Sequence, residues 1–228
     1  MIIPIFQDPL KELESRKGLK RVFFCLLIIM QDVLLRSSKN SIAAQEAFAR
    51  TQGKVIVALA RQMVLTIRQG GKILLFGNGG SAADAQHMAA EFVNRFLINR
   101  RPMAALALTT DCSVLTSIGN DFSFDEIFVK QVQALGKPED LALGISTSGG
   151  SVNVLKAMEV AREIGMVTAA LTGGLTGDGG AVGRAADFVL NVPSDKTPHI
   201  QEAHLWAEHL LCELVEREIF GEGARQDG

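Results

Sequence analysis

Short apolar runs alternate along this chain with longer segments whose apolar residues recur at helical spacing. The short runs have the length and composition of buried strands. Five strands are therefore predicted, at residues 72–76, 103–108, 141–145, 166–171 and 188–192. Strands that alternate with helices are typical of a parallel sheet covered on both faces. The pattern thus predicts an α/β fold with five parallel strands, preceded by N-terminal helices.

Segments of helical pattern separate these strands. We predict two helices before the first strand, at residues 31–50 and 54–68, and another that begins near Ser81. Further helices are predicted at residues 113–118, 124–134, 152–164 and 198–220. The glycine-rich segment 173–183 lacks the Lys-Ser/Thr of a P-loop, so we expect a flexible connection there.

A glycine-rich turn, Gly77-Asn78-Gly79-Gly80-Ser81, follows the first predicted strand and leads into a helix. Glycines let the backbone approach an anion, and the free N–H groups of a helix N-terminus point towards it. Many such turns are glycine-rich for steric reasons alone. The turn by itself therefore leaves both a phosphate-binding and a purely steric interpretation open.

The helix after this turn carries His87 and Glu91, four residues apart. At that spacing the two side chains lie on one helix face, about one turn apart. Imidazole and carboxylate groups are zinc ligands and also proton carriers. A solvated surface pair is the alternative, although Met88 and Phe92 make this helix more apolar than a typical surface helix.

A second glycine- and hydroxyl-rich cluster follows the third predicted strand, at residues 144–151. Its hydroxyl groups belong to Ser146, Thr147, Ser148 and Ser151, and a helix begins directly afterwards. Hydroxyls and backbone amides at a helix N-terminus can bind phosphate oxygens without a lysine. An ordinary N-cap would need only one Ser or Thr. Four hydroxyls therefore favour a phosphate site.

These separated motifs together resemble the SIS (sugar isomerase) domain family, and most closely its sedoheptulose 7-phosphate isomerases, or phosphoheptose isomerases. The resemblance runs from about Met30 to the C-terminal helix and also includes Ile118-Gly119-Asn120-Asp121-Phe122 and Ile200-Gln201-Glu202-Ala203-His204, with His209 beyond. It implies a single SIS domain over residues 30–228, with a flavodoxin-like, three-layer architecture. Residues 1–29 would then be an extension outside the domain.

The resemblance also implies roles for individual residues. The Ser/Thr loop would bind the sugar phosphate through Ser146, Thr147, Ser148 and Ser151. The residues that would line the rest of the substrate are Asn78, Gly79, Gly80, Ser81, Glu91, Asn120, Asp121 and Gln201. The ligands of one zinc ion per subunit would be His87, Glu91, Gln201 and His209. Glu91 would be the catalytic base and His209 the catalytic acid.

The implied reaction converts sedoheptulose 7-phosphate to D-glycero-D-manno-heptose 7-phosphate through an enediol, as the first step of bacterial ADP- or GDP-heptose biosynthesis for lipopolysaccharide, capsule or glycoprotein. A base moves a proton between C1 and C2 while zinc polarises the carbonyl. A zinc-bound nitrogen of His209 cannot also donate a proton, so its two implied roles compete. Gln201 and His209 are about 12 Å apart along a helix. We expect Gln201 in the first helical turn, and a site shared between subunits stays open.

A rival interpretation comes from the same superfamily. A SIS-type adaptor that binds a DNA-replication initiator has nearly the same glycine loop, but that branch lacks the carboxylate of Glu91 and the imidazole of His209. This chain has both. We therefore expect the isomerase, which the resemblance implies is a homotetramer. His199 and His204 are expected to pack in a core or at an oligomer interface.

Composition agrees with an ordinary soluble enzyme. The chain has 228 residues, 47% of them hydrophobic, and a formal net charge of −2. No basic stripe indicates nucleic-acid binding. The three scattered cysteines, Cys25, Cys112 and Cys212, favour a reducing compartment, so a cytoplasmic location is expected. Cys112 and Cys212 are predicted to be buried small apolar residues.

The N-terminus has one unusual feature. An apolar run of nine residues, 22–30, follows Lys17, Lys20 and Arg21. It is too short to cross a bilayer, and no small-residue cleavage site follows it. We therefore expect no membrane association, and we predict that residues 1–29 are dispensable.

Overall fold

The computed structural model describes the backbone of residues 17–221 and the side chains of residues 27–221. Within these residues there are seven α-helices and five β-strands. The elements are α1 (Lys17–Arg68), β1 (Ile73–Gly77), α2 (Gly80–Val93), β2 (Ala105–Ala107), α3 (Cys112–Asp121), α4 (Val129–Leu135), β3 (Leu141–Ser146), α5 (Val152–Ile164), β4 (Val167–Gly173), α6 (Gly180–Arg184), β5 (Phe188–Val192) and α7 (Thr197–Phe220). A short 3₁₀ turn, Phe124–Glu126, precedes α4.

The five strands form one sheet in the order β2-β1-β3-β4-β5, and every pair is parallel. The predicted fold is confirmed, down to the flavodoxin-like strand order. The order in which strands are added to the sheet reverses between β1 and β3, although all the strands are parallel. Open α/β sheets bind ligands at such a switch point. Gly77 pairs with Ile145 at this point. The loops that follow β1 and β3 therefore lie side by side.

Two hydrophobic layers cover the sheet. On one face Ile73 and Leu75 pack with α1, α2 and α7, and on the other Leu74 and Phe76 pack with α4, α5 and α6. Successive strand residues thus point to opposite layers, as the pleat of a strand requires. The helices that carry Glu91 and His209, α2 and α7, lie on the same face of the sheet.

The segment before β1 differs from the prediction. The two predicted helices are one continuous helix, α1, because nothing at residues 51–53 interrupts it. The hydroxyl of Thr51 donates back to the carbonyl of Ala47, four residues earlier, and Gly53 lies in open space. A Ser or Thr that bonds to the i−4 carbonyl is compatible with a helix interior.

The chain divides into two compact units, with the boundary between Ile42 and Ala43. The described part of the first unit is helical and exposes large apolar side chains, among them Leu34 and Leu35. Residues 1–16 of the predicted extension lie outside the described residues, so its boundary at residue 29 stays a prediction. None of the helices among the described residues is long and apolar enough to cross a membrane.

The glycine-rich segment 173–183 differs from the predicted flexible connection. It includes the first four residues of α6 and packs on the loop after β3. The amide of Val182 donates to the carbonyl of Gly149 at 2.9 Å, and a Cβ on Gly149 would collide with the carbonyl of Gly179. Glycines are needed here because two backbone segments touch without side chains between them.

Candidate active site

The loop after β1 is shaped by close backbone packing. A Cβ on Gly77 would come within 2.8 Å of the carbonyl oxygen of Ile145, so a side chain would force the neighbouring loops apart. Gly79 is the N-cap of α2, with φ of 57°. Because glycine has no side chain to cap the helix, the first amides of α2 stay available to an anion. This geometry supports the phosphate-type interpretation of the turn.

Hydroxyl groups of the loop after β3 form hydrogen bonds within the loop itself. The Oγ atoms of Ser146 and Ser151 are 2.9 Å apart, and the Oγ of Ser148 accepts from the amide of Gly150. Ser151 is the N-cap of α5, yet its hydroxyl pairs with Ser146 instead of an α5 amide. The hydroxyls of Ser146, Ser148 and Ser151 are therefore not explained as ordinary helix capping.

Asn153, which was not among the predicted site residues, joins the two loops. Its side-chain amide exchanges two hydrogen bonds with Asn78, at 2.8 and 2.9 Å, and its side chain is 3% exposed. A signal was present, because an asparagine in the first turn of a helix directly after a hydroxyl-rich loop points back towards that loop. Asn78 and Asn153 tie the ends of β1 and β3 together.

His87, Glu91 and His209 meet on the face between α2 and α7. The Nε2 of His87 lies 3.7 Å from Oε1 of Glu91 and 2.9 Å from Nε2 of His209. The ring of Phe96 stacks on His209, with centroids 5.4 Å apart and an interplanar angle of 16°. Glu91 and His209, which are 118 positions apart in the sequence, were predicted to converge. Within one subunit they meet through His87, which lies next to both.

Gln201 lies at the other end of this face. It is the fifth residue of α7, so it stands just beyond the first turn in which it was expected. Its amide packs against Gly80, and a Cβ at Gly80 would collide with it. Gln201 therefore contacts the first residue of α2, and its role in lining the substrate stays a prediction.

The next predicted substrate-binding residues are Asn120 and Asp121. They end α3, are exposed, and bond to each other, with Nδ2 of Asn120 donating to Oδ1 of Asp121 at 2.8 Å. Within the described residues no hydrogen bond joins them to either loop. The structure brings the two loops together, and separately His87, Glu91 and His209, while the role of Asn120 and Asp121 in substrate binding stays a prediction.

Buried polar groups lie behind the cluster. Glu208 is fully buried, and neither of its carboxyl oxygens has a hydrogen-bond partner among the residues that the structure describes. Burial, and then the charge of Asp84, raise the pKa of Glu208 well above its usual value. Glu208 was not among the predicted site residues. A charged residue within the apolar face of α7 was the feature of the sequence that could have indicated it. The neighbouring residue in the sequence, His209, points instead to His87.

The other two histidines, and Cys112 and Cys212, were predicted to pack in the interior or at an interface without a chemical role. His204 is buried against the carbonyl of Thr172, as predicted, and burial lowers its pKa to about 4. His199 is mostly buried beside Glu202. Cys212 is buried as predicted, but the prediction for Cys112 was wrong, because it lies exposed at the start of α3.

Imidazole nitrogens and carboxylate oxygens are among the ligands that zinc prefers. His87, Glu91 and His209 supply both types, and the contact between the two imidazoles is the part of the arrangement that fits. No group of three or more His, Cys, Asp or Glu side chains among the described residues is arranged to hold a metal ion. The donor types therefore suit zinc, but the described side chains do not form a complete set of ligands around one position.

Comparisons with known proteins identify the family. The SIS domain family matches residues 36–173. A phosphoheptose isomerase from Solidesulfovibrio magneticus is 54% identical over 182 residues, which cover 80% of this chain and 87% of that protein. One from Nitratidesulfovibrio vulgaris is 48% identical over 190 residues, or 83% and 90% of the two chains.

Solved structures give the same result. The phosphoheptose isomerase GmhA from Neisseria gonorrhoeae superimposes with a TM-score of 0.77 at 43% identity, covering 82% of this chain and 98% of that one. A phosphoheptose isomerase from Francisella tularensis superimposes with a TM-score of 0.78 at 39% identity, with the same coverage. The chain therefore belongs to the SIS-domain family and, within it, to the phosphoheptose isomerases.

Proposed function

We propose that this chain is an aldose–ketose isomerase that converts sedoheptulose 7-phosphate to D-glycero-D-manno-heptose 7-phosphate through an enediol. The observation that carries the proposal is the contact of His209 with His87, next to Glu91. It places a carboxylate and two imidazoles on one face, in a member of the phosphoheptose isomerase family. These are the proton carriers that an enediol mechanism needs.

The phosphate is assigned to the hydroxyl-rich loop. Ser146, Thr147, Ser148 and Ser151 lie at the N-terminus of α5, whose dipole favours an anion. Asn78 and the first amides of α2 lie beside this loop, because β1 and β3 are neighbours. Both loops would therefore bind polar groups of the sugar phosphate without a lysine.

Proton transfer is assigned to Glu91 and His209. Glu91 moves the proton between C1 and C2, and His209 serves the oxygens of the enediol. The stacking of Phe96 on His209 limits the orientations of its ring. A single nitrogen of His209 cannot donate a proton and bind a metal at once, so its other ring nitrogen is the one free for acid chemistry when zinc is bound.

Zinc is proposed as the cofactor, held by His87, Glu91, Gln201 and His209. When bound, it supplies polarisation of the substrate carbonyl as a Lewis acid. The support is the donor chemistry of the two imidazoles and the carboxylate. Metal analysis of the purified protein tests this: one zinc per chain is expected, and His87→Ala should lose it. Zinc-free wild-type protein with full activity would contradict the proposal.

A homotetramer in the cytoplasm is also proposed. Glu91 lies ten residues beyond Ser81 in α2, a rise of about 15 Å, which is long for one heptose phosphate to span. A loop contributed by a neighbouring subunit would place substrate-binding groups closer to Glu91 than those of its own chain. Light scattering gives the mass of the assembly, and a fully active monomer would contradict a shared site.

The direct test is turnover. Purified protein is incubated with sedoheptulose 7-phosphate, and formation of the aldose phosphate is followed by NMR. Turnover on the scale of an ordinary enzyme, about 1–1000 per second, is expected. The alternative, a SIS-type adaptor for a DNA-replication initiator, predicts binding to that initiator with no turnover. No observation on the site favours the adaptor over the isomerase.

A further inference from the structure

A buried ion pair joins the loop after α2 to α7. The Nε of Arg100 donates to Oε1 of Glu216 at 2.8 Å, and the two side chains are only 1% and 2% exposed. Removing two charges from water costs about as much as their attraction returns, so such pairs contribute little net stability. The other hydrogen bonds of Arg100 and Glu216 indicate a second role for the pair.

The guanidinium of Arg100 binds the end of α2. Its Nη2 donates to the carbonyl oxygen of Glu91 at 2.7 Å, and its Nη1 donates to that of Phe92 at 2.8 Å. The last carbonyls of a helix have no intrahelical partner, and a cation there is favourable. Arg100 therefore fixes the turn from which the side chain of Glu91 projects.

The carboxylate of Glu216 binds the segment between α2 and Arg100. It accepts from the amides of Phe96 at 2.8 Å, Leu97 at 2.9 Å and Ile98 at 3.3 Å. Phe96 is the residue whose ring stacks on His209. Glu216 also lies seven residues after His209 on α7, two turns along the same face. Its carboxylate thus sets the position of the ring that orients His209.

We infer that the Arg100–Glu216 pair is a positioning device for the reaction, which holds Glu91 by its backbone and His209 through Phe96. The inference rests on the proposed function, because it requires Glu91 and His209 to carry the proton transfer. Arg100 and Glu216 are almost fully buried and are not among the residues proposed to contact the substrate. Both would act through Glu91 and His209, so their loss should lower kcat while KM changes little.

Arg100→Lys is the first test. Lysine keeps the charge but cannot bond to Glu216 and two carbonyls at once, since it lacks the planar fork of arginine. Misplacing a catalytic group by about 1 Å can cost on the order of 100-fold in rate. We expect kcat to fall about 10- to 100-fold with KM within about 3-fold of wild type. A wild-type kcat in Arg100→Lys would overturn the inference.

The double variant Arg100→Met/Glu216→Leu separates positioning from stability. These apolar side chains leave unpaired the amides of residues 96–98, which Glu216 binds, and the carbonyls of Glu91 and Phe92, which Arg100 binds, so we expect the Tm to fall. Measured well below that Tm, where the variant is folded, kcat should still be at least about 10-fold lower than in wild type. A wild-type kcat in the folded variant would show a purely structural pair and overturn the inference.

Lys72→Gln is the matched control. Lys72 and Asp140 form another partly buried ion pair, but at the amino ends of β1 and β3, opposite to the two loops. This variant should lower Tm and leave kcat unchanged, and an equal loss of kcat would overturn the inference by showing that any ion pair matters. Absence of turnover in the wild type contradicts the proposed function instead, so the two failures are distinguishable.

Discussion

Asn78 and Asn153 exchange two side-chain hydrogen bonds, at 2.8 and 2.9 Å, across the junction between the two loops. The two residues are 75 positions apart in the chain, yet their amides form a closed pair. Asn153 also accepts from the amide of Val154, so its orientation is set by α5. The relative position of the glycine loop and the hydroxyl loop therefore depends on this pair.

Asn153→Ala should weaken substrate binding. It removes both bonds and leaves the partly buried amide of Asn78 without its partner, and the cost for a fully buried polar group would be about 1–3 kcal/mol. We expect KM for sedoheptulose 7-phosphate to rise about 10-fold, measured by steady-state kinetics with urea unfolding in parallel. Gln131→Ala, which removes another buried amide from α4, should cost similar stability with no change in KM.

Glu91→Gln should remove the base while keeping the shape of the side chain. General base catalysis contributes about 100- to 10,000-fold, and kcat should fall by that factor. Exchange of solvent deuterium into the substrate, followed by NMR, should fall in parallel because it reports the same proton transfer. Glu163→Gln, an exposed change on α5, is the control. Residual exchange at the wild-type rate would show that another group is the base.

Gly149→Ala should destabilise the fold at the contact between the hydroxyl loop and segment 173–183. Gly149 has φ of +64°, and an added Cβ would meet the carbonyl of Gly179. A strained backbone of this kind costs on the order of 1–3 kcal/mol. The control is Gly53→Ala, since Gly53 lies in open space in α1 and alanine is the better helix former by about 1 kcal/mol. Thermal unfolding should show a lower Tm for the first variant and a Tm at or above wild type for the second.

His204 predicts the direction of a pH effect on stability. Burial lowers its pKa to about 4, so the unfolded chain, in which the pKa is near 6.5, binds more protons between these values. Its contribution to stability is complete above pH 6.5 and is lost as the pH falls through 4, about 3 kcal/mol in all.

His204→Leu cannot titrate at this position. The unfolding free energy of wild type minus that of His204→Leu should therefore decrease from pH 7 to pH 4.5, as measured by urea unfolding. A difference that stays constant with pH would mean that folding does not lower the pKa of His204.

A chain that begins at Met30 should remain active. The SIS domain match starts at residue 36, after the predicted extension. We expect kcat and KM within about 2-fold of the full chain, because none of the groups proposed for binding or proton transfer precedes Asn78. An insoluble or inactive shortened protein would show that residues 1–29 belong to the folded enzyme.

Local patterns predicted much of the architecture. The apolar run at 188–192 and the observed strand Phe188–Val192 coincide, and α7 begins one residue before its predicted start. Errors occurred where packing overrides local preference. Gly53 did not end a helix, and the glycines of segment 173–183 serve a close backbone contact and not flexibility.

Periodicity and residue chemistry were enough to establish the α/β fold, the two loops and the His87–Glu91 pair, because strand pleat, helical spacing and glycine turns are local properties. Contacts between distant segments were not readable from the same patterns. The bond between Asn78 and Asn153, the approach of His209 to His87, and the Arg100–Glu216 pair each join residues more than 70 positions apart. Which distant side chains meet is settled by the order of the strands and by the packing of α2 against α7. No local periodicity encodes such contacts, since they form only when the sheet and its covering helices assemble.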